Sequence, residues 1–252
     1  MIDEFYENMN LPKECRIDST IFKKVFYENA NMNSSDKDIF KKDIDKIILR
    51  YSLKEENINV PSYKDDEIDY DEIEIIEVNL VSSNKYKRVC EIIQKAIPYP
   101  LIIVLTIDNK VLINTAYKRI NKNDEEKNTV EEYAFTSWID GEDSKENEEL
   151  FFKSVDIKNL SFTNMYKLYC SFVEKINILN ASNLTGDFNN LECKDIEQVN
   201  KLNEEINCID DEIDKLKITI KKEVQFNKRM DINIKIKKLE TKRNNLIEEI
   251  KS

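Results

Sequence analysis

The order of hydrophobic patterns between residues 73 and 139 excludes most fold classes for this chain. Six apolar residues predict a strand that is largely buried, and they are Ile73, Ile75, Ile76, Val78, Leu80 and Val81. Residues 85–97 then carry apolar side chains at spacings of three and four, which predicts a helix. Pro98 and Pro100 end that helix, because proline cannot continue it and restricts the residue before it.

Three further strands follow this helix. Leu101–Ile107 is apolar and rich in β-branched residues, which indicates a central strand. Asp108 and Asn109 predict a tight turn into a strand at 110–118, and the pattern at 130–139 predicts another strand. The whole order is one parallel crossover followed by an antiparallel meander. The predicted fold class is therefore α+β, with a mixed β-sheet flanked by helices.

The segments around this sheet have weaker patterns. On the N-terminal side we expect a helical segment capped by Asp18 or Ser19, and a second helix at 34–51. After the sheet, Leu160–Leu179 is rich in large apolar residues and predicts a helix that covers the sheet. The remaining expectations are a short strand at Ile58–Pro61 and polar loops at 64–72, 121–127 and 141–147.

The last quarter of the chain has a different pattern, with two seams of apolar residues typical of a coiled coil. A break at residues 223–230 separates them, and it fits either a stutter in one long helix or the turn of a hairpin. We therefore expect an α+β domain at 1–180, a polar linker at 181–194 and coiled-coil helices at 195–252. The seam residues are Ile196, Val199, Leu202, Ile206, Ile209, Ile213, Leu216 and Ile220, followed by Ile232, Ile236, Leu239, Leu246 and Ile250.

Charge favours the hairpin. Residues 195–214 hold eight acids and one lysine, whereas 215–230 hold six bases and one acid, and 231–252 have a net charge of +2. A parallel dimer would place two acidic stretches side by side, while a hairpin pairs the acidic arm with the mildly basic returning arm. An antiparallel homodimer satisfies the same rule and stays open. Residues 1–194 carry the whole net charge of −11.

Composition removes several classes of enzyme. The chain has no histidine, which excludes imidazole bases and ligands, and its two glycines cannot form a nucleotide-binding glycine loop. The five cysteines form no CxxC pair, so free thiols in a reducing cytoplasm are expected, without zinc or disulfides. Neither a signal peptide nor a membrane-spanning run is visible. We expect a cytoplasmic protein with no membrane contact and no cofactor.

One arrangement of acids suggests a nuclease. A helix, two strands, a helix and another strand resemble restriction-type nucleases of the PD-(D/E)XK kind. That family uses an acid on one strand and a Glu-x-Lys triplet on the next to hold a metal. The matching acids would be Asp69 or Asp71 with Glu77, and Mg²⁺ would be the cofactor. Asn79 stands where the lysine should be, so the site is expected to be degenerate.

A basic cluster at the break between the seams suggests an interaction surface. Phe226 and Met230 are expected to project there among lysine and arginine side chains, where they could meet nucleic acid phosphates or an acidic protein. The alternative is that Phe226 packs the turn and the lysines are merely solvated. The expected contact residues are Lys221, Lys222, Gln225, Phe226, Asn227, Lys228 and Arg229.

Three stretches carry a family resemblance. They are Leu11-Pro-Lys-Glu-Cys-Arg-Ile17 with Phe22–Asn29, Ala96-Ile-Pro-Tyr-Pro-Leu-Ile102, and Lys221-Lys-Glu-Val-Gln-Phe-Asn-Lys-Arg-Met-Asp-Ile-Asn233. Together they resemble the bacterial domain-of-unknown-function family 4391 over nearly the whole chain. The resemblance assigns no activity, but it implies an accessory role in restriction or phage-defence systems, beside a helicase or a DNA methyltransferase.

Three functions therefore stand at the level of sequence. The first is a non-catalytic accessory protein that docks to a larger enzyme or to nucleic acid through its coiled-coil arm. The second is a metal-dependent nuclease that uses Glu77. The third is a homodimerising scaffold.

Overall fold

The computed structural model describes residues 1–120, 128–192 and 196–251. The chain divides into two compact units, Met1–Ile176 and Asn177–Ser252. The first unit is built on a β-sheet and the second is helical. The predicted charged loop at 121–127 lies outside the described residues.

The first unit contains nine described strands and seven helices, of which the last continues into the second unit. The strands are β1 (Arg16–Thr20), β2 (Ile44–Lys54), β3 (Tyr63–Lys64), β4 (Asp69–Tyr70), β5 (Glu72–Leu80), β6 (Leu101–Ile107), β7 (Lys110–Ile120), β8 (Asn128–Phe135) and β9 (Ile139–Asp140). The helices are α1 (Ile2–Met9), α2 (Lys23–Asn29), α3 (Ser34–Lys42), α4 (Glu55–Ile58), α5 (Tyr86–Ala96), α6 (Glu146–Ser154) and α7 (Met165–Thr185).

Seven of the described strands form a mixed sheet in the order β1-β2-β5-β6-β7-β8, with β9 beside β7, and β3 and β4 form a separate two-stranded ribbon. β5 and β6 are parallel, with Glu74 opposite Leu101, and α5 is the crossover between them. β6, β7 and β8 are joined as antiparallel neighbours. The predicted α+β class, the parallel crossover and the meander are therefore confirmed.

The predicted helix at 34–51 is wrong in its second half. The helix α3 ends at Lys42, and β2 begins two residues later and pairs with β5. A register shift between Ile44 and Lys46 marks a β-bulge, which places Ile44 and Ile47 in the same core cluster. A bulge adds one residue to a strand, so inward-facing residues are spaced by three and imitate a helix.

Smaller corrections concern the ends of elements. Residues 16–20 form the edge strand β1 and not a helical turn, and the helix begins at Lys23. The predicted strand at Ile58–Pro61 is wrong, because the helix α4 ends at Ile58 and Asn59 adopts a left-handed backbone with φ 55°. Each is a short segment whose state depends on a neighbour distant in sequence. The remaining changes are that the expected loop at 64–72 contains β3 and β4, that α6 begins at Glu146, and that the expected strand at 130–139 is divided into β8 and β9.

The sheet is covered on both faces. On one face, Ile76 and Val78 of β5 belong to a buried cluster with Val89 and Ile93 of α5. On the other face, Tyr169 of α7 accepts a hydrogen bond from the Ala116 backbone N–H at 3.0 Å. These contacts explain the uninterrupted apolar run from Leu101 to Leu105 in β6, since a strand buried on both faces has no polar side.

The second unit is a set of helices. The residues from Asn177 to Thr185 complete α7, and α8 (Phe188–Glu192), α9 (Ile196–Lys222) and α10 (Phe226–Lys251) follow. Helix α7 therefore runs into the segment expected to be a linker at 181–194. The helices α9 and α10 run antiparallel and pack through Ile209, Ile213 and Ile236. This packing is compatible with the expected coiled-coil hairpin.

Candidate interaction site

The turn between α9 and α10 is short and held by its own side chain. Only Glu223, Val224 and Gln225 separate the two helices. The Glu223 carboxylate accepts hydrogen bonds from the backbone N–H groups of Val224 and Gln225, both at 2.9 Å. These bonds lower the pKa of Glu223. The carboxylate therefore shapes the turn.

The side chains at this turn face solvent. Val224 is 91% exposed, Phe226 is 73% exposed and Met230 is 52% exposed. These values contradict the alternative in which Phe226 packs the turn internally. All seven residues expected to contact a partner are exposed, and they are Lys221, Lys222, Gln225, Phe226, Asn227, Lys228 and Arg229.

Sequence reasoning missed three apolar members of this surface. Val224 lies in the turn, and Ile218 and Ile234 lie one and two helical turns from it. Ile218 is 56% exposed and Ile234 is 49% exposed. Neither isoleucine occupies a seam position. An apolar residue outside the seams is expected to be exposed, and this was the sequence signal that could have identified them. We call Ile218, Val224, Phe226, Met230 and Ile234, together with the seven contact residues above, the turn surface.

The charges of the two helices are arranged as the sequence predicts for an antiparallel pair. Asp210 of α9 accepts a hydrogen bond from the Arg243 guanidinium at 2.7 Å, and Glu205 lies 3.9 Å from the Lys242 ammonium. The acidic stretch therefore faces the returning helix. The basic stretch at 215–230 is left at the turn, where six bases surround Glu223.

The residues of the nuclease hypothesis do not meet. Glu77 lies on β5, whereas Asp69 pairs with Lys64 across the small β3–β4 ribbon. Asp71 is exposed, and six residues of extended chain, about 20 Å, separate it from Glu77. Among the described residues no group of three acidic or cysteine side chains could hold a metal ion.

Glu77 itself is occupied by protein groups. The residue is 3% exposed, and its carboxylate accepts hydrogen bonds from Arg50, Asn79 and Tyr6. Asn79 also donates to the Thr106 hydroxyl at 2.7 Å. The asparagine that replaces the expected lysine is thus part of a closed polar network. This geometry joins elements of the sheet and leaves no carboxylate oxygen positioned for a metal.

Comparison with known proteins identifies the family. The model of a domain of unknown function, DUF4391, matches residues 9–242. The chain belongs to the DUF4391 family. No curated protein and no solved structure matches the DUF4391 chain. None of its described helices is long and apolar enough to cross a membrane.

Proposed function

We propose that this DUF4391 protein is a non-catalytic accessory protein that binds a protein partner through the turn surface. The observation that carries the proposal is the exposure of Phe226 and Val224 at the end of a helical pair, in a stretch that holds six basic residues. Exposed apolar side chains grouped in one place and rimmed by polar residues mark interaction sites more often than chance placement.

The chemistry of the turn surface favours a protein over nucleic acid. Nucleic acid binding relies on phosphate contacts, and the first 194 residues carry a net charge of −11 that would repel phosphates. Large aliphatic side chains such as Val224 and Met230 add nothing to phosphate contacts, whereas they suit the apolar centre of a protein interface. Phe226 and Arg229 belong to the residue types enriched in interfaces. We therefore infer an apolar groove with an acidic rim as the partner surface.

The packing of the seams argues against a simple dimerising scaffold. Ile209, Ile213 and Ile236 are buried within a single chain, at 5%, 4% and 8% exposure. A second copy could use the same seam only if the pair of helices opened first. Among the described residues of this pair, the exposed large apolar residues are those of the turn surface.

The family resemblance supplies the setting for this partner. We propose that the partner is a larger enzyme of a restriction or phage-defence system, with a helicase or a DNA methyltransferase as the leading class. The DUF4391 chain would then supply a positioned binding element and no chemical step. Binding would depend on a few residues at the turn, because a small number of anchors carries most of the energy of an interface.

Affinity purification with matched variants tests the proposal. The first variant changes Lys221, Lys222 and Lys228 to Glu, and its control changes the exposed Lys235, Lys237 and Lys238 to Glu. Both remove the same charge from the same helical pair. A protein recovered with the wild type and the control, but lost with the turn variant, supports the proposal. Equal recovery with all three chains would contradict it.

A second pair of variants separates apolar contact from charge. Phe226→Ser should weaken recovery of the same partner, whereas Phe162→Ser should not, although Phe162 is also 46% exposed. Loss with the charge variant but not with Phe226→Ser would indicate electrostatic binding alone, and it would contradict an apolar anchor. Recovery of nucleic acid in place of a protein would overturn the choice of partner.

A further inference from the structure

The first unit contains a pocket whose residues are distant in sequence from the turn between α9 and α10. The β3–β4 ribbon, β7, β8 and the start of α7 line a pocket of about 310 Å³ that is open to solvent. This volume lies at the lower end of the range for small-molecule sites. We call it the tyrosine pocket, and its lining residues are Asp65, Glu67, Ile68, Tyr70, Tyr117, Lys118, Arg119, Glu131, Glu132 and Tyr166.

The three tyrosines of the pocket are not equally accessible. Tyr70 is fully buried, and its hydroxyl accepts a hydrogen bond from the Lys118 backbone N–H at 3.2 Å. Tyr117 and Tyr166 are half-buried, and burial, together with the neighbouring Cys170, raises the pKa of both. A ligand therefore meets the rings of Tyr117 and Tyr166. Aromatic rings attract cations through the negative charge on their faces.

The pocket also contains an excess of carboxylates. Arg119 pairs with Glu67 at 3.0 Å and with Glu131 at 2.8 Å. The Lys118 ammonium donates to the backbone carbonyls of Ile97 and Tyr99, away from the carboxylates that line the pocket. Among the described residues that line the pocket, Asp65 and Glu132 bring the carboxylates to four, beside the two cations Lys118 and Arg119. The electrostatic field of such a site favours a cation.

A β-bulge gives the pocket its second glutamate. Glu131 pairs with Tyr117 and Tyr133 pairs with Ala116, so Glu132 is the extra residue of the bulge, and its φ is +32°. Consecutive residues of a regular strand point to opposite faces of a sheet. Glu131 and Glu132 nevertheless both line the pocket. Bulges that redirect a side chain are frequent beside functional sites.

We propose that the tyrosine pocket binds a small organic cation, with an ammonium or guanidinium group held among the rings of Tyr117 and Tyr166 and the carboxylates of Glu131 and Glu132. The proposal is independent of the turn surface and of any partner bound there.

Calorimetric titration of the full chain tests the proposal with three cations of different shape, which are choline, agmatine and spermidine. The control ligand is 3,3-dimethyl-1-butanol, which has the shape of choline without its charge. We expect saturable binding of at least one cation with a Kd of about 1 mM or tighter, and none of the control alcohol. Equal binding of choline and the alcohol would overturn the proposal, as would the absence of saturable binding by all three cations.

Variants locate the binding. Glu131→Gln removes one carboxylate contact, and Tyr117→Leu removes one aromatic ring. Each variant should therefore raise the Kd of the cation by about tenfold. The control variants are Glu149→Gln and Tyr27→Leu, which lie outside the pocket and should leave the Kd unchanged. Thermal unfolding of each variant checks that it folds. If the controls weaken binding as much as the pocket variants, the cation binds elsewhere and the assignment fails.

Discussion

Arg50 holds Glu77 through two parallel hydrogen bonds, from Nε to Oε2 at 2.8 Å and from Nη2 to Oε1 at 3.0 Å. Burial opposes ionisation of Glu77, but the bonds from Arg50 and Asn79 outweigh it, and the pKa of Glu77 is lowered. Paired bonds of this geometry are among the stronger ones in proteins. The residue that most resembled a catalytic acid therefore joins β2 to β5.

The first prediction concerns the cost of breaking this pair. Arg50→Met should destabilise the protein by about 3–5 kcal/mol, because a buried carboxylate is left unpaired. The double variant Arg50→Met with Glu77→Met should recover most of that loss, since both charges are then absent. Urea unfolding at pH 7 measures the three free energies. A double variant less stable than Arg50→Met would contradict the account.

Glu77 also gives a prediction about catalytic activity. Purified protein should not cleave DNA or RNA with added Mg²⁺, and Glu77→Gln should leave the products unchanged. Incubation with several nucleic acids and divalent metals, followed by electrophoresis, is the measurement. Cleavage that depends on Mg²⁺ and disappears in Glu77→Gln would restore the nuclease hypothesis.

The pH dependence of stability should reveal Glu74. Burial raises the pKa of Glu74 to about 7, with Glu72 acting in the same direction and Lys118 opposing it. A carboxyl whose pKa is raised on folding stabilises the folded state at low pH. That contribution is complete below its unfolded pKa of about 4.5 and is lost as the pH rises to about 7.

Glu74→Gln should therefore remove this loss. Relative to Glu74→Gln, the wild type should lose about 3 kcal/mol of stability between pH 4.5 and pH 7.5. The exposed Glu56→Gln is the control, and its difference from the wild type should not change with pH in this way. Urea unfolding at four pH values is sufficient. A difference for Glu74→Gln that stays constant over the range would show that Glu74 titrates normally.

The third stability prediction concerns Lys118, which fixes the turn before β6. Its ammonium donates to the carbonyls of Ile97 and Tyr99, and burial lowers the pKa of Lys118 well below its ordinary value. Lys118→Met should destabilise the protein by about 2 kcal/mol, because two carbonyl groups lose their donor. Thermal unfolding measures this change, and the exposed Lys110→Met is the comparison. Equal melting temperatures for the two variants would contradict the assigned role.

Sequence patterns predicted the centre of the sheet because its strands are buried on both faces. β5, α5, β6 and β7 were all expected near their observed positions, since apolar runs and prolines mark them locally. β2 was mistaken for a helix, because bulges gave it helical spacing. A bulge depends on the pairing of two distant strands, and a local pattern contains no information about that pairing.

The two candidate sites differ in how far sequence could predict them. The turn surface lies within one stretch of sequence. The break between the two seams and the cluster of cations at that break predicted most of its residues. The tyrosine pocket combines residues near 65, 117, 131 and 166. No motif links these positions, and one of the two glutamates enters the pocket only through the bulge at Glu132. Such a site becomes visible only after the strands are paired.

Photo-crosslinking inside cells of the native host tests the central claim most directly. Benzoylphenylalanine placed at Phe226 should form a crosslink to one protein, whereas the same group at the exposed Asn244 on α10 should not. Changing Lys221, Lys222 and Lys228 to Glu should abolish that crosslink. A helicase or methyltransferase crosslinked from residue 226 alone is the predicted result. Crosslinks only to nucleic acid, or the same proteins from both positions, would contradict the account.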